Sequence, residues 1–508
     1  MKELITEIQS LGIRVSGSIT GRCGGAGPAE GRAFVIGATA TNAPINAPYT
    51  KRSPFVLKNG GNGRLILFKN GEPIAPVSLV PEPHFYNLMG SDGIDYRKIA
   101  LLHGMDCLAT TVLQRCFNWR ISRGCAFCGT EISLGAGATI VRKRPSQLAE
   151  VAMAAMKQDT VSHVVLTSGI ADPPGTEILY LARCAAAIKA LTDLPIQVQF
   201  SPPPDLSLMD ELKTSGVDSV GIHVESFDAD TLKRVAPAKS DIGLKRYEAA
   251  WKRAVSLFGP NQVSSFLIVG LGEPPSSVVA GSEVLADLGV YPFVVPLRPI
   301  PGSKMAHKRP PEPGVMKNIY EAVADVLQKK GLSHLKCKAG CVRCGACSAL
   351  PLYEKPAGHL VCHSTRTEDE KSRAFAIRNE VFVKEQHIFN DSDIDEYDVF
   401  STHLVAEINN EIVGTVRVFP AGVNGHWIGG RLAVRKSHRV YRVGATLVKE
   451  AMKWVKKKGG NKFTAHIQDK NIDFFKRLGW EPIGSMETYC DRPHQLMQAD
   501  LNQVPEDY

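Results

Sequence analysis

Between about residues 109 and 330, short apolar runs alternate with amphipathic ones. SHVVLTSG (162–169), PIQVQFSP (195–202), SVGIHVES (219–226), VSSFLIVGLGE (263–273) and YPFVVPLRPIPGS (291–303) read as buried strands closed by small or turn-forming residues. EILYLARCAAAIKAL (177–191), LMDELKTSG (208–216), IGLKRYEAAWKRAVSLFG (242–259) and SSVVAGSEVLADLGV (276–290) space their apolar residues as helices do. Repeated β–α units of this size predict a parallel sheet with helical crossovers, a full or partial (β/α) TIM-type barrel. Its ligand groups should come from the C-terminal ends of the strands. Residues 1–105 predict an irregular α+β leader, with a Gly-rich loop RCGGAGPAEGR (22–32) and an extended stretch GRLILF (63–68). ALPLYEKPAGHL (349–360) reads as a linker. Beyond it, HLVAEINNEIVGTVRVF (403–419), WIGGRLAV (427–434) and KFTAHI (462–467) predict strands, with a long helix over 444–459 and a short one over 471–480. The expected divisions are 1–105, 106–335, 336–362 and 363–508, an α/β protein with a second α/β domain at its C-terminal end.

The composition is that of an ordinary globular chain: 508 residues, 44% hydrophobic and 22% charged. It excludes a mainly disordered, collagen-like or coiled-coil protein. No apolar run reaches the roughly 18 residues that span a bilayer, and the opening MKELITEIQSLGIRV lacks a signal-peptide core. A cytoplasmic protein without a membrane partner is expected. The net charge of +9 lies wholly in the first 362 residues, because basic and acidic residues balance from 363 onward. That surplus suits anionic cofactors and does not call for nucleic acid.

Seven of the twelve cysteines fall in two knots, a pattern of metal or redox chemistry rather than a disulfide framework. Cys23, Cys107, Cys184, Cys362 and Cys490 read as ordinary small residues. In the first knot Cys116, Cys125 and Cys128 supply three thiolates. A cubane [4Fe–4S] cluster takes four, so three leave one iron open to chelate a small molecule. A closed zinc site would need a fourth ligand, for which His103 is at hand. The second knot, Cys337, Cys341, Cys344 and Cys347, has ferredoxin-like spacing and suits a second [4Fe–4S] cluster, with structural zinc as the alternative. Its place just after the barrel suggests that it faces the barrel mouth or the domain junction.

C-A-F-C, with an aromatic before the last cysteine, resembles the radical SAM superfamily, in which the open iron binds S-adenosylmethionine. The first spacing is eight residues here and three in the usual pattern. Further matches follow in barrel order. Thr167, Ser168 and Gly169 stand where the superfamily contacts the methionyl amine. GIHVES (221–226) is similar to a strand of biotin and lipoyl synthases, and puts Glu225 at an acidic SAM contact. Gly270 and Gly272 of GLGE resemble the strand end near the adenosine, and PLRPIPGS (296–303) resembles the last barrel strand. On residue type alone, Glu225 could equally be a salt-bridged barrel residue. The resemblance implies a [4Fe–4S] cluster, S-adenosylmethionine, an electron donor such as flavodoxin or ferredoxin, and a small-molecule substrate attacked by a 5′-deoxyadenosyl radical.

RVYRVGA (439–445), ahead of a long helix, resembles the acyl-CoA site of GCN5-related N-acetyltransferases (GNATs). The resemblance implies acetyl-CoA bound by Ala433, Val434, Arg439, Arg442, Val443, Gly444 and Ala445, through backbone N–H groups at a helix start. Arg442 occupies a glycine position of that pattern. FFKRLGW (474–480) resembles the second signature, with Phe475 where a tyrosine acid often sits. The acidic run 391–398 reads as a solvated loop suited to covering a cationic substrate, since Glu396 stands where a Ca²⁺ loop needs glycine.

GGAGPAEG, KIALLHGMDCLATTVLQ and the second knot resemble uncharacterised radical SAM proteins of nitrilase-containing bacterial gene clusters. IRNEVFVKEQHIFNDSDIDEYD and RPHQLMQADL resemble an acetyltransferase-like protein of the same clusters. The chain then reads as a fusion of two neighbours. Two other readings stand beside it: an elongator-like tRNA-modifying enzyme, and a non-catalytic metal-binding scaffold.

Overall fold

The computed structural model describes residues 1–503, apart from 16–18, 20, 22–30, 38, 61–64, 355–359, 409–410, 442 and 490–491. Cys23, Cys490, Arg442 and most of the Gly-rich loop therefore lie outside the described residues. The chain forms two compact units, residues 1–355 and 356–508. Among the described residues no helix is long and apolar enough to cross a membrane.

The first unit is built on a seven-stranded sheet. Six strands are parallel and follow sequence order: Cys107–Thr111, His163–Thr167, Ile196–Phe200, Ser219–Ile222, Val263–Val269 and Val290–Pro296. Leu101–His103 adds an antiparallel edge beside the first. The expected barrel is therefore a partial one, a curled half-barrel of six parallel strands. Right-handed crossovers put helices on its outer face, among them Pro145–Gln158 and Pro313–Lys330, two helices beyond those the apolar spacing predicts. Outward residues such as Val164, Leu166, Val198 and Val220 join one core that runs from Ile5 to Tyr353. Cys107, Ala109 and Val165 form a small separate interior cluster. The leader is more regular than expected. It has a helix, Lys2–Leu11, and a six-stranded sheet that shares the same core.

The lower end of the half-barrel, where the parallel strands begin, is closed by residues 333–348. Strand-start side chains grip the backbone of this segment. His163 Nδ1 accepts from Gly340 N at 3.1 Å, Gln197 Oε1 from Cys341 N at 3.3 Å, and Ser219 Oγ donates to Ala339 O at 3.2 Å. Asn261 and Gln262 bond both N–H and C=O groups of Ser333, Lys336 and Lys338. The second cysteine knot thus sits at the foot of the barrel, not at its mouth.

The second unit is a seven-stranded sheet in the order Val361–Ser364, Thr402–Ile408, Glu411–Pro420, His426–Val434, Lys462–Gln468, Arg492–Ala499, Trp480–Tyr489. The last two strands had no clear hydrophobic signature, since Trp480–Tyr489 is exposed along most of its length. His426–Val434 and Lys462–Gln468 pair in parallel only from His426 to Gly429, and diverge beyond it. The acidic run is solvated only in part. Asp393 and Asp398 are buried against the fully buried Arg378, which donates to Asp393 at 2.8 Å and to Asp398 at 2.6 and 2.8 Å. Arg417 and Arg431 complete the network through Asp395. Hydrogen-bonded pairing of this kind is what lets such charges be buried.

Arg378→Ala should leave Asp393 and Asp398 with only Arg431 and Arg417 as counter-charges, at 3.2 and 3.0 Å, and cost about 3 kcal/mol, read as a lower denaturation midpoint of the second unit. The double variant Arg378→Ala/Asp398→Ala should recover part of that loss.

Candidate functional site

A cavity of about 490 Å³ opens at the C-terminal ends of the parallel strands, within the roughly 300–1,000 Å³ of small-molecule sites. Its wall includes Cys116, Cys125, Cys128, Thr167, Ser168, Gly169 and Glu225. Residues more than a hundred positions apart in the sequence are brought together there. The wide first spacing is taken up by one helical turn, Phe117–Arg120, which starts directly after Cys116. Gly169 is required by close approach, since a Cβ there would lie 2.5 Å from the Arg115 carbonyl oxygen of the loop that carries Cys116. Cys116 N donates to Glu131 Oε1 at 2.9 Å, and Ala126 N to Val235 O at 2.7 Å, so both arms of the knot are pinned. Burial pushes the Cys125 thiol up to about 12.

Glu225 is both a salt-bridged barrel residue and a cavity residue. Its Oε1 accepts from Lys239 Nζ at 2.6 Å, while Oε2 is buried without a hydrogen-bond partner. Burial opposes the Lys239 charge, but the Glu225 carboxylate outweighs it and holds the ammonium above the ordinary lysine range. Glu225 also adopts a left-handed backbone (φ 75°), uncommon for a side chain of this kind and costly unless its surroundings fix it.

Three further cavity residues carried no assignment from the sequence. His223 is stacked on Phe266 at 4.2 Å. Its Nδ1 accepts from Phe266 N at 3.2 Å, which leaves the proton on Nε2, and that atom is buried without a partner. Burial lowers its basicity well below the usual histidine range, so the ring is a neutral donor. The signal was present in GIHVES, where 221, 223 and 225 alternate onto one face. Glu177 accepts from Ala171 N and Gly175 N at 3.2 and 2.9 Å and so fixes the loop lining the cavity. Gln199 lines the cavity and also donates to Cys341 Sγ at 3.1 Å. Lys239 and Gln199 had no motif to mark them.

Gly270 and Gly272 are not in the cavity wall. Gly270 packs against Leu297 and Pro311, and Gly272 against Arg234. His103 is not near the first knot either. Its Nδ1 lies 3.5 Å from Cys344 Sγ and its Nε2 3.4 Å from Cys347 Sγ. Cys337 stands apart, with its sulfur 3.0 Å from the Asn261 carbonyl oxygen and 3.1 Å from Asn261 Nδ2. Cys184 is a core residue, and Cys362 is half-buried against the second unit's core.

In the second unit Ala433 and Val434 lie on the strand beyond the point of divergence, with buried side chains. The helix Val443–Lys457 starts beside them. A Cβ on Gly444 would sit 3.7 Å from Val434 and Phe474. Val443 is buried and Ala445 half-buried in the first turn. Arg439 bonds Val434 O at 3.0 Å and grips Glu385 with both terminal nitrogens at 2.7 and 2.6 Å. Phe475 is buried edge-on to Trp480, a core residue with no proton to give.

Comparison with known proteins agrees with both units. The radical SAM superfamily pattern matches residues 121–280, and the acetyltransferase (GNAT) family pattern matches 368–480. The chain belongs to the GNAT family through its C-terminal unit, and it carries a radical SAM domain in its half-barrel. It is 27% identical over 233 residues to bacteriochlorophyllide c C-7(1)-hydroxylase of Chlorobaculum limnaeum, covering 42% of this chain and 58% of the hydroxylase's length. It is 31% identical over 137 residues to the uncharacterized N-acetyltransferase YjcF of Bacillus subtilis, covering 27% of this chain and 96% of that protein. The crystal structure of Escherichia coli ElaA aligns at 20% identity over 28% of this chain and 100% of that one, with a TM-score of 0.26.

Beneath the site Lys143 is fully buried with no carboxylate partner. It donates to Thr111 O at 2.6 Å and Gln114 Oε1 at 2.8 Å, and burial pushes it down to about 7. Below pH 7 both folded and unfolded chains hold the proton. Between about 7 and the ordinary 10.5 only the unfolded chain does, so stability should rise with pH across that window. Lys143→Met should flatten the rise, read from denaturation midpoints at pH 6 and pH 9.

Proposed function

We propose that the protein is a radical SAM enzyme acting on a small molecule, joined to an acyl-CoA-dependent N-acyltransferase. One observation carries the first half: three thiols and the Thr167–Gly169 and Glu225 positions surround a single cavity at the mouth of the half-barrel. The residues fit the cofactor. Three thiolates are the set that leaves one iron of a cubane open, and the orphaned Glu225 Oε2 offers an acceptor for an ammonium group. When bound and reduced, the cluster and S-adenosylmethionine together supply a 5′-deoxyadenosyl radical.

In this reading Cys116, Cys125 and Cys128 hold the cluster. Thr167, Ser168 and Gly169 offer polar contacts to the methionyl end, and Glu225, held in place by Lys239, accepts from its amine. His223 donates its Nε2 proton to an acceptor on substrate or nucleoside. Glu177 keeps the 170–175 loop in place, so the cavity excludes water and stray hydrogen donors. Gly270 and Gly272 support the strand end near the adenosine from behind. Cys341, Cys344 and Cys347, with one further ligand, hold a second [4Fe–4S] cluster, zinc being the alternative occupant. Flavodoxin or ferredoxin would supply the electron in a cytoplasmic setting. The relative that hydroxylates a bacteriochlorophyllide supports attack on an unactivated C–H bond. The whole-chain resemblance to two neighbouring gene-cluster proteins supports consecutive steps on one pathway.

In the second unit the diverging strands and the start of the helix Val443–Lys457 suit an acyl-CoA. Ala433, Val434, Val443, Gly444 and Ala445 would present backbone groups to it, and Arg439 and Arg442 would lie beside its phosphates. With Phe475 in the acid position, proton transfer must use another group or water, and transfer should be slow.

Anaerobically reconstituted, reduced protein should convert S-adenosylmethionine to 5′-deoxyadenosine, and Cys125→Ala should abolish that conversion. No deoxyadenosine from protein with a full complement of iron would sink the reading. His223→Gln, which keeps a donor, should retain more activity than His223→Leu, with a loss of about 10–100-fold for the latter if one buried charge-free hydrogen bond is at stake. Acetyl-CoA binding to the full chain, measured by calorimetry, should weaken several-fold in Gly444→Val.

A further inference from the structure

The spacing of the second knot makes Cys337 its first ligand, but the fold does not bring Cys337 to the other three thiols. Cys337 Sγ donates to the Asn261 carbonyl and receives Asn261 Nδ2, so both its roles are filled by one residue. Cys344 and Cys347, in contrast, flank one imidazole, that of His103, at 3.5 and 3.4 Å, and Cys341 and Cys344 pack against one small interior cluster. A different cysteine stands among them. Cys107 opens the first parallel strand, is 1% exposed, and packs with its interior neighbours against Cys341 and Cys344.

We infer that the second cluster is held by Cys107, Cys341, Cys344 and Cys347, with Cys337 a structural residue. The inference rests on the reading of the second knot as an iron–sulfur site and deepens it. It brings one ligand from the barrel itself and three from the segment that closes its foot.

The surroundings fit a cluster better than a single ion. His103 stands between Cys344 and Cys347, with one ring nitrogen toward each sulfur, which holds the two apart across an imidazole. Zinc bonds of about 2.3 Å would draw thiolates to about 3.8 Å from one another, whereas a cubane's ligands attach to separate iron corners. His103, Gln199 Nε2 at 3.1 Å from Cys341 and Asn42 Nδ2 at 3.8 Å from Cys347 aim nitrogen groups at three different sulfurs. Hydrogen bonds to sulfur are a recurrent means of tuning such clusters. Gly104 makes room for the arrangement, since a Cβ there would lie 2.7 Å from Cys344 Sγ.

The full-length chain carrying Cys116→Ala, Cys125→Ala and Cys128→Ala isolates this site. Reconstituted anaerobically with iron and sulfide, it should hold about four irons and give an electron paramagnetic resonance signal on reduction. If it holds no iron, or takes up zinc in preference when both are offered, the second-cluster reading fails, whatever its ligands. In that background Cys337→Ser should keep both the iron and the g-values, and Cys344→Ser should lose most of the iron. Cys107→Ser places a small oxygen donor at the same point, with folding checked by circular dichroism. It should lose the iron or keep it with displaced g-values. Loss of iron in Cys337→Ser, or unchanged iron and g-values in Cys107→Ser, overturns the assignment. Should Cys107→Ser not fold, Cys337→Ser still decides, since its iron and its g-values both stay unchanged only if Cys337 is not a ligand.

Discussion

Buried polar groups must find hydrogen-bond partners, and the foot of this half-barrel is crowded with them. His163, Gln197, Ser219, Asn261 and Gln262 all stand at or beside the starts of parallel strands, out of water. An apolar plug would leave each unsatisfied, at about 1–3 kcal/mol apiece. The segment 333–348 meets each of them with a backbone N–H or C=O group, which favours one docking register; of the atoms they offer, His163 Nε2 is left without a hydrogen bond. The placing of the second cysteine knot follows from that register. So does the support of the leader, where Gln9 Nε2 and Asn42 N both bond Ala346 O, at 3.1 and 2.8 Å.

The mouth of the barrel obeys the opposite rule. There Glu225 Oε2, His223 Nε2 and Trp119 Nε1, all of cavity-wall residues, are buried without a hydrogen-bond partner among the described residues, as groups arranged for a ligand would be. The Lys239 pairing accounts for how such a carboxylate survives out of water, because it supplies a counter-charge and fixes its direction. The second unit shows a third solution. Its buried acids are wholly consumed by Arg378, Arg417 and Arg431, and this serves to tie the 391–398 loop to the sheet.

Much of this was legible in the sequence. Strands that are apolar on both faces and end in small residues, such as SHVVLTSG, announced a parallel sheet, and the three-cysteine knot announced its mouth. Long-range pairing was less legible. Cys337 belongs to the second knot by spacing but to Asn261 by contact, and Cys107 reads as a plain core residue until the strand it opens is set beside residues 341–347. His103 was assigned to the wrong end for the same reason. Nearness along the chain is a poor guide once a strand separates two neighbours by the depth of a barrel. The acidic run was misread because its counter-charges, Arg378, Arg417 and Arg431, lie on a helix and two strands distant in sequence. The strands over 480–499 escaped notice because the outer one buries too little to show alternation.

The docked segment 333–348 has a consequence for biosynthesis. Ribosomal synthesis runs from the N-terminal end, so the strands of the half-barrel emerge well before the residues that cap them. Until about position 350 has left the ribosome, Cys107 and His103 face solvent at an open foot, and the three later thiols do not yet exist. Assembly of the second knot is therefore a late event, whereas the three thiols of the first are all present once residue 128 has been made. The order in which the two cysteine sets become complete follows from where they lie along the chain.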